Sequence, residues 1–487
     1  MTVIDANRPA AAALRRIDDL PGPRGLPWLG NMFQIEPRRF HLQLEQWCRE
    51  FGAMFHLRAA GRRILVVADH TLVAAILRDR PDGFRRTIKL EKIGLEMGLP
   101  PGVFGASGDA WRAQRRMVMA GFDPAHVKGY FPSLLQVAQR LRGRWQKAAR
   151  DQQAIDLQAD LMRYTVDAIA GLAFGAEVNT LESDDDVIQQ HLDKIFPALG
   201  RRLLAPLPVW RWWRSTADRQ LEQSLVEVKS AVAGFIAQAR DRLVADPELR
   251  VHPRNLLEAM IVAADAPDSG ISDAQVAGNV LTMLLAGEDT TANTLAWTIH
   301  LLWRHPVALA RAIEEVRQVA GDPAALTLEQ LGQLDYVEAC VHETMRLKPV
   351  APIMPLQALH DQSVGGVHVP AGTVVISLLR RDSVSDEHLP RAASFEPERW
   401  LAGEGGPGQV ASSAKRISMP FGAGPRICPG RYLALLEMKI ALAVLLGGFD
   451  IAGVDTPDGA EARERLAFAM SPVGLSMRLA ERATVSP

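Results

Sequence analysis

Cysteine is scarce in this chain. Cys48, Cys340 and Cys428 are the only three in 487 residues, far apart and with no CxxC pair. That excludes a disulfide framework or a cysteine-rich zinc site, and it fits a reducing cytoplasm. An excess of one charge is also missing. The 55 Lys+Arg and 56 Asp+Glu leave a formal net charge of −1, which argues against nucleic acid as a partner. The leading MTVIDANRPAAAALRRIDDL has no apolar run long enough for a membrane span or a signal-peptide core, so no transmembrane anchor is expected. There is no internal repeat and no low-complexity segment. What the chain does have is length and 48% hydrophobic residues, enough for a large core.

Cys428 has the most organised surroundings of the three thiols. The stretch Phe421–Gly430, FGAGPRICPG, places Gly422, Gly424, Gly430, Pro425 and Pro429 around it. Glycine lets a backbone fold tightly and approach a flat group closely, and proline fixes the turn and removes donors. The run RYLALLEMKIALAVLL predicts a helix from Arg431 onward. A sulfur at that helix start faces free N–H groups and the positive end of the dipole, both of which favour thiolate over thiol. Arg426, two residues earlier, adds positive charge. A thiolate held this way is a metal ligand or a nucleophile. The plainer alternative is a buried, inert cysteine beside a glycine turn.

Ser272 and Gln275 make a capping box, and an apolar pattern then predicts a helix until His305-Pro306 stops it. At about 1.5 Å per residue it would run roughly 50 Å. In its middle, Ala286–Thr291 (AGEDTT) puts two acids and two hydroxyls into an apolar run, where a charge is expensive unless solvated or used. Thr290 is placed to bond back to the Ala286 carbonyl and open the helix locally, and Asp289 to relay protons from water. Otherwise Thr290 only bends the helix and the acids face solvent.

Trp111 and Arg115 lie four apart, hence on one helical face. A planar guanidinium and an indole N–H suit a carboxylate, although a solvated basic face would read the same way. Glu343 and Arg346 in ETMRLKP share a face and can pair. AMFHLR and RILVVAD, either side of Gly61, predict a β-hairpin. Leu203–Arg214 (LLAPLPVWRWWR) interrupts a helical region from about Asp123 to Ala264. It reads either as the rim of an apolar channel or as tryptophans packing a helix pair.

The spacing Phe-x-x-Gly-x-Arg-x-Cys-x-Gly resembles the haem-binding loop of the cytochrome P450 family, with Cys428 where the family's axial thiolate stands. The AGEDTT helix, ETMRLKP and PERW at Pro397–Trp400 match further family motifs in the right order. The resemblance covers nearly the whole chain. It implies a mainly α fold with a smaller β region, as one catalytic domain over residues 1–487. Its β-rich portions fall near 51–70, 350–390 and 448–482, with no fused reductase. It also implies haem b, with O2 and NAD(P)H-derived electrons as co-substrates.

The site residues follow from the same resemblance. Cys428 is the haem-iron ligand, while Trp111, Arg115, Arg426, Phe421 and Gly422 hold the haem. Asp289 and Thr290 deliver protons. Phe104, Ala286, Ala351 and Phe468 line the substrate pocket, and Glu343, Arg346 and Arg399 form a structural triad behind the haem. The family often has an Arg or His near Gln357 and His360 touching a propionate, and this chain departs from that pattern. The implied function is monooxygenation of an apolar molecule such as a fatty acid, terpenoid or steroid. Electrons would arrive from a separate ferredoxin or flavodoxin with its reductase, docking on the basic cysteine side. A cytoplasmic, bacterial-type protein is expected. Gly61-Arg62-Arg63 is similar to the hairpin by which some bacterial fatty-acid hydroxylases hold a carboxylate, but Val66 stands where they place a Tyr. The rival readings are a peroxide-driven haem-thiolate peroxygenase and a non-catalytic haem binder.

Overall fold

The computed structural model describes residues 14–482 except 60, 101, 123–127, 176–177, 184–186, 206, 322–324 and 402–408. The architecture is mainly helical with small sheets, as the sequence implies. Its centre is the helix Asp273–Arg304, opened by the expected capping box: Ser272 Oγ accepts from the Gln275 N–H, and Gln275 Oε1 accepts from the Ser272 N–H. Most of this helix is buried all round, which is why its sequence is apolar on every face rather than striped. It packs along Leu157–Phe174, and also meets Thr216–Ala245, Asp335–Leu347 and Arg431–Gly448.

Contact with Leu157–Phe174 is close because Gly287 faces it. A Cβ at Gly287 would lie 2.6 Å from Ile169 Cγ1. The expected local opening of the helix is absent. The α-helix is continuous from Asp273 to Arg304, because the Thr290 hydroxyl donates to the Ala286 carbonyl at 2.7 Å without displacing the ladder.

The main sheet has five strands in the order Met54–Ala59, Arg62–Val67, Val374–Leu378, Ile353–Ala358, Phe84–Arg86. The Gly61 hairpin is antiparallel, and Arg62–Val67 runs parallel to Val374–Leu378. The short last strand, not anticipated from sequence, pairs Arg86 with Leu356 and Arg85 with Gln357. Near the C-terminus, Phe449–Asp455 pairs with Ser476–Glu481, and Glu464–Leu466 pairs with Met470–Pro472 as a small hairpin. Apolar side chains under the main sheet (Leu65, Val67, Leu356, Val375) form a cluster separate from the large helical core.

Filling the Gly287 contact should overpack it. Gly287→Ala is expected to destabilise by about 1–3 kcal/mol. Combined with Ile169→Ala, which removes the opposing carbons, it should cost less than the sum of the two single changes. Denaturant unfolding of the four proteins checks this, and strict additivity would mean that the two residues do not meet.

Candidate active site

The Cys428 loop is held by its backbone. The Cys428 N–H donates to the Phe421 carbonyl at 3.0 Å, while Gly422 and Gly424 adopt φ of +76° and +72°. Gly424 has two reasons to lack a side chain, since a Cβ there would lie 2.6 Å from Arg78 Cα. The Gly430 N–H reaches the sulfur, and the charges acting on it are those of Arg115 and Arg431. Arg426, the charge anticipated from sequence, is not among them. The net effect also differs from expectation. Burial outweighs these contributions and raises the thiol pKa. The loop's donors alone therefore do not ionise Cys428, and a cation on the sulfur would be needed to hold it as thiolate.

Beside the loop lies a group of buried positive charges. Arg426 stacks 5.1 Å from the Trp111 ring and donates to the carbonyls of Val103 and Ala106 at 2.9 and 2.8 Å. It feels the repulsion of Arg80 and Arg115, and Arg86 feels Arg80 and Arg426. Burial first, then this mutual repulsion, pushes Arg426 down to about 9 and Arg86 well below its ordinary value. Burial alone takes Arg80 to about 10. No carboxylate is among the groups acting on these three arginines. Arg80 Nε, Arg86 Nε and Arg426 Nη1 are buried without a hydrogen-bond partner.

Such a cluster is costly to bury unless anions face it. Sequence reasoning missed Arg80 and Arg86. The adjacent pair Arg85-Arg86 is visible in the sequence, but nothing local marks the short strand that carries it. Gln357 and His360 do not supply the contact in question. Gln357 Oε1 accepts from the Ile88 N–H at 3.0 Å and its Nε2 donates to the Gly372 carbonyl at 2.9 Å, while exposed His360 bonds to the Asp361 carbonyl. Arg86 lies on the neighbouring strand, in register with Leu356.

On the central helix, Ala286, Gly287, Asp289 and Thr290 keep partial exposure within an otherwise buried stretch. Asp289 is nonetheless strongly desolvated. Burial, then the charge of Asp193, pushes its carboxyl up to about 6, against a hydrogen bond from Asn293 and the charge of Arg465. The phenyl ring of Phe468 is stacked 4.4 Å from Phe196 and edge-on to Phe104 at 5.8 Å. The Met470 N–H donates to the Val350 carbonyl at 2.7 Å, which lays the Phe468 hairpin against the segment carrying Ala351. Phe196 was not anticipated, because nothing in the sequence aligns a mid-helix phenylalanine with a hairpin 270 residues downstream. The Arg86 guanidinium sits 4.1 Å over the Phe104 ring.

Glu343, Arg346 and Arg399 come together as expected. Arg346 binds the Glu343 carboxylate in a bidentate pair at 2.7 and 2.8 Å, and Arg399 Nε adds a third donor at 2.9 Å. Trp400 Nε1 and the Glu396 N–H complete the shell at 2.8 and 2.9 Å. Arg346 also donates to the carbonyls of Ser383, Ala392 and Ser394. His70, Asp382 and His388 bring ligand atoms within 4.8 Å of one another. Asp382, however, already accepts from the His70 backbone and ring and from Arg381.

Of the expected channel rim, Trp210 is packed by Arg202 and donates to Glu96, whereas Trp212 and Trp213 are 73% and 75% exposed. Arg62 lies exposed at its hairpin turn, and Arg63 is engaged by Asp18. Arg112, placed on an outer face, is paired with Asp82 and Asp109, and Arg116 is exposed.

A helical fold with a lone cysteine loop and a buried basic cradle beneath a long central helix has the form of a haem-binding oxidoreductase. Residues 20–477 match the family described as Cytochrome P450, and the chain belongs to that family. In fold it is similar to the crystal structure of the cytochrome P450DA heme domain, with a TM-score of 0.81 over 96% of this chain and 98% of that one at 24% identity. It is 26% identical to Protein LUTEIN DEFICIENT 5, chloroplastic, of Arabidopsis thaliana over 86% of this chain and 71% of that one. It is 29% identical to the self-sufficient cytochrome P450 monooxygenase CYP505E3 of Phanerodontia chrysosporium over 90% of this chain. The chain spans 40% to 46% of the length of the self-sufficient relatives it matches. These relatives are plant and fungal, not the bacterial type expected from the sequence. Among the described residues, no helix is long and apolar enough to cross a membrane.

Removing the carboxylate of Glu343 would leave the buried Arg346 guanidinium without an anion and Arg399 with Glu396 alone. Glu343→Ala is therefore expected to cost about 3–5 kcal/mol and to lower the haem-to-protein ratio, read by thermal unfolding and absorbance. A variant that unfolds and retains haem like wild type would remove the triad from any role in the fold.

Proposed function

We propose that this chain is the catalytic unit of a haem-thiolate monooxygenase that inserts one oxygen atom of O2 into an apolar organic substrate, by hydroxylation or epoxidation. The observation that carries the reading is the cradle of Arg80, Arg86, Arg115 and Arg426 beside Cys428, with no carboxylate of the protein acting on three of the four. Haem b fits it, since its two propionates would neutralise that charge and accept from the open donors of Arg80, Arg86 and Arg426. Cys428 Sγ is then the iron ligand, with the iron supplying the cation that burial demands. Phe421 and Gly422 form the loop wall, and Trp111 orients Arg426 from beneath.

When bound, such a haem supplies the activation of O2 by two electrons, with thiolate ligation favouring O–O cleavage. The protein's part is proton handling and exclusion of water. Because the Thr290 hydroxyl spends its proton on Ala286, its oxygen lone pairs are left to accept a donor from the chamber. Asp289, poised near neutrality, is the group that can take a proton from water and pass it inward. The presence of both residues favours O2 over peroxide as oxidant, hence a monooxygenase over a peroxygenase.

Electrons reach the site from NAD(P)H through a ferredoxin or flavodoxin with its reductase, docking where Arg116 is exposed. The relatives named self-sufficient make a reductase joined in one polypeptide the competing arrangement. Reduced, free Cys48 and Cys340 are in keeping with a cytoplasmic setting. Phe104, Phe196 and Phe468, with Ala286 and Ala351, make the substrate wall apolar.

Cys428→Ser should bind haem with loss of the thiolate signature of the ferrous–CO complex; retention of that signature would sink the ligand assignment. Ferric spin state titrated with fatty acids of graded length, terpenes and steroids reads the substrate class. A low-to-high-spin shift with long acids, lost in Arg62→Ala, is the expected mark of a fatty-acid hydroxylase. A shift with neutral polycyclic compounds or terpenes, indifferent to Arg62, marks a terpenoid or steroid oxidase.

A further inference from the structure

Asp289 has a neighbour whose position its own chemistry requires. Asn293, one helical turn on, is fully buried. Its Nδ2 donates twice, to the Asp289 carbonyl at 2.7 Å and to Asp289 Oδ1 at 2.6 Å. Its Oδ1 accepts from Gln158 Nε2 at 3.2 Å, across the contact with the helix Leu157–Phe174. An amide can present either end to a neighbour. Here the Asp289 carbonyl can only accept, so the N–H2 end faces Asp289 and the oxygen end is left to the Gln158 donor.

Several other side chains on this helix also bond back one turn. Thr282, Thr290, Thr294 and Thr298 each donate to a carbonyl four residues earlier. Those contacts stop at the backbone. Asn293 also reaches a carboxylate. A purely structural role would need only the bond to the Asp289 carbonyl.

We propose that Asn293, itself oriented by Gln158, is the positioning residue for Asp289: it fixes one carboxylate oxygen and leaves the other to exchange a proton. The inference rests on the reading of Asp289 as the proton-delivering acid. The charged groups facing Asp289 are Asp193, from the helix Val187–Leu204, and Arg465, from the strand Glu464–Leu466. Both are exposed. Gln158 and Asn293 are neutral. Asp193 disfavours the anion and Arg465 favours it, the like charge of Asp193 being the stronger of the two. The hydrogen bond from Asn293 then sides with the anion. Without it, a desolvated carboxyl stays protonated to higher pH.

The sign is therefore fixed. The test follows the carboxylic C=O band of Asp289 in haem-loaded full-length protein, identified by infrared difference against Asp289→Asn and titrated with pH. The wild-type midpoint should lie near 6. Asn293→Ala should move it upward by roughly one unit, a tenfold change in proton affinity, and Gln158→Leu should move it in the same direction by less. The ferrous–CO signature should be intact in both variants, and Asp193→Asn should shift the band the opposite way. A midpoint unchanged in Asn293→Ala and in Gln158→Leu would overturn the proposal. The underlying reading fails differently. If Asp289→Asn left product formed per electron pair unaltered, Asp289 would not deliver protons, although the band would still shift with Asn293.

Discussion

One buried carboxylate holds the back of the site together. Glu343 is the single anion to which Arg346 and Arg399 both bind, and the indole N–H of Trp400 and the Glu396 N–H complete its shell. Its partners reach outward in turn. Arg346 gathers the carbonyls of Ser383, Ala392 and Ser394, and Arg399 those of Pro390 and Arg391. One ion group thus gathers the irregular chain from Ser383 to Trp400 onto the helix Asp335–Leu347. A charge in an interior is tolerable only when every donor and acceptor around it is used, and here they are used. The segment has little regular structure, so this satisfied network takes the place of a ladder in fixing its path.

The second arginine group is its converse. Arg80, Arg86 and Arg426 are drawn into the interior from a loop, a strand edge and the cysteine loop, and they repel one another. Such an arrangement is costly to bury unless an anion offsets it. In one cluster the protein supplies its own counter-charge and becomes rigid. In the other it withholds the counter-charge and becomes a receptor. That asymmetry, more than the presence of any single arginine, distinguishes scaffold from site. It also explains why the thiol of Cys428 is raised rather than lowered. The positive charges that reach it are few and the burial is deep, so the sulfur too waits for a cation.

Much of this was legible in the sequence, and the limits have physical causes. The cysteine loop, the capped central helix, the Glu343–Arg346 pair and the Gly61 hairpin are local patterns whose residues lie close together or carry a fixed spacing, while Arg399 joined that pair only through the family resemblance. The hydrogen bond from Thr290 to Ala286 was legible for the same reason, although the helix absorbs it without opening. Arg80, Arg86 and Phe196 were not legible. Each acquires meaning only through a partner across a sheet register or between distant elements, and the three-residue strand that carries Arg86 is too short to show a period. Arg426 was expected beside the Cys428 sulfur and instead lies over the Trp111 ring, since distance along the chain says nothing about which way a long side chain turns.

The central helix unites these strands of argument. Gly287 draws it against Leu157–Phe174, and the same closeness lets Gln158 reach Asn293, so a packing constraint and a proton-handling group share one interface. Asp289 is expensive where it sits, since burial pushes its carboxyl to about 6. A residue kept only for stability would be replaced by an apolar one of similar size. What stands there is an acid raised toward the neutral range, one residue from the Thr290 hydroxyl. The helix is continuous because a break would loosen both. Its continuity fixes the position of Asp289 along the interface, while the charges of Asp193 and Arg465 act on that carboxyl in opposite directions.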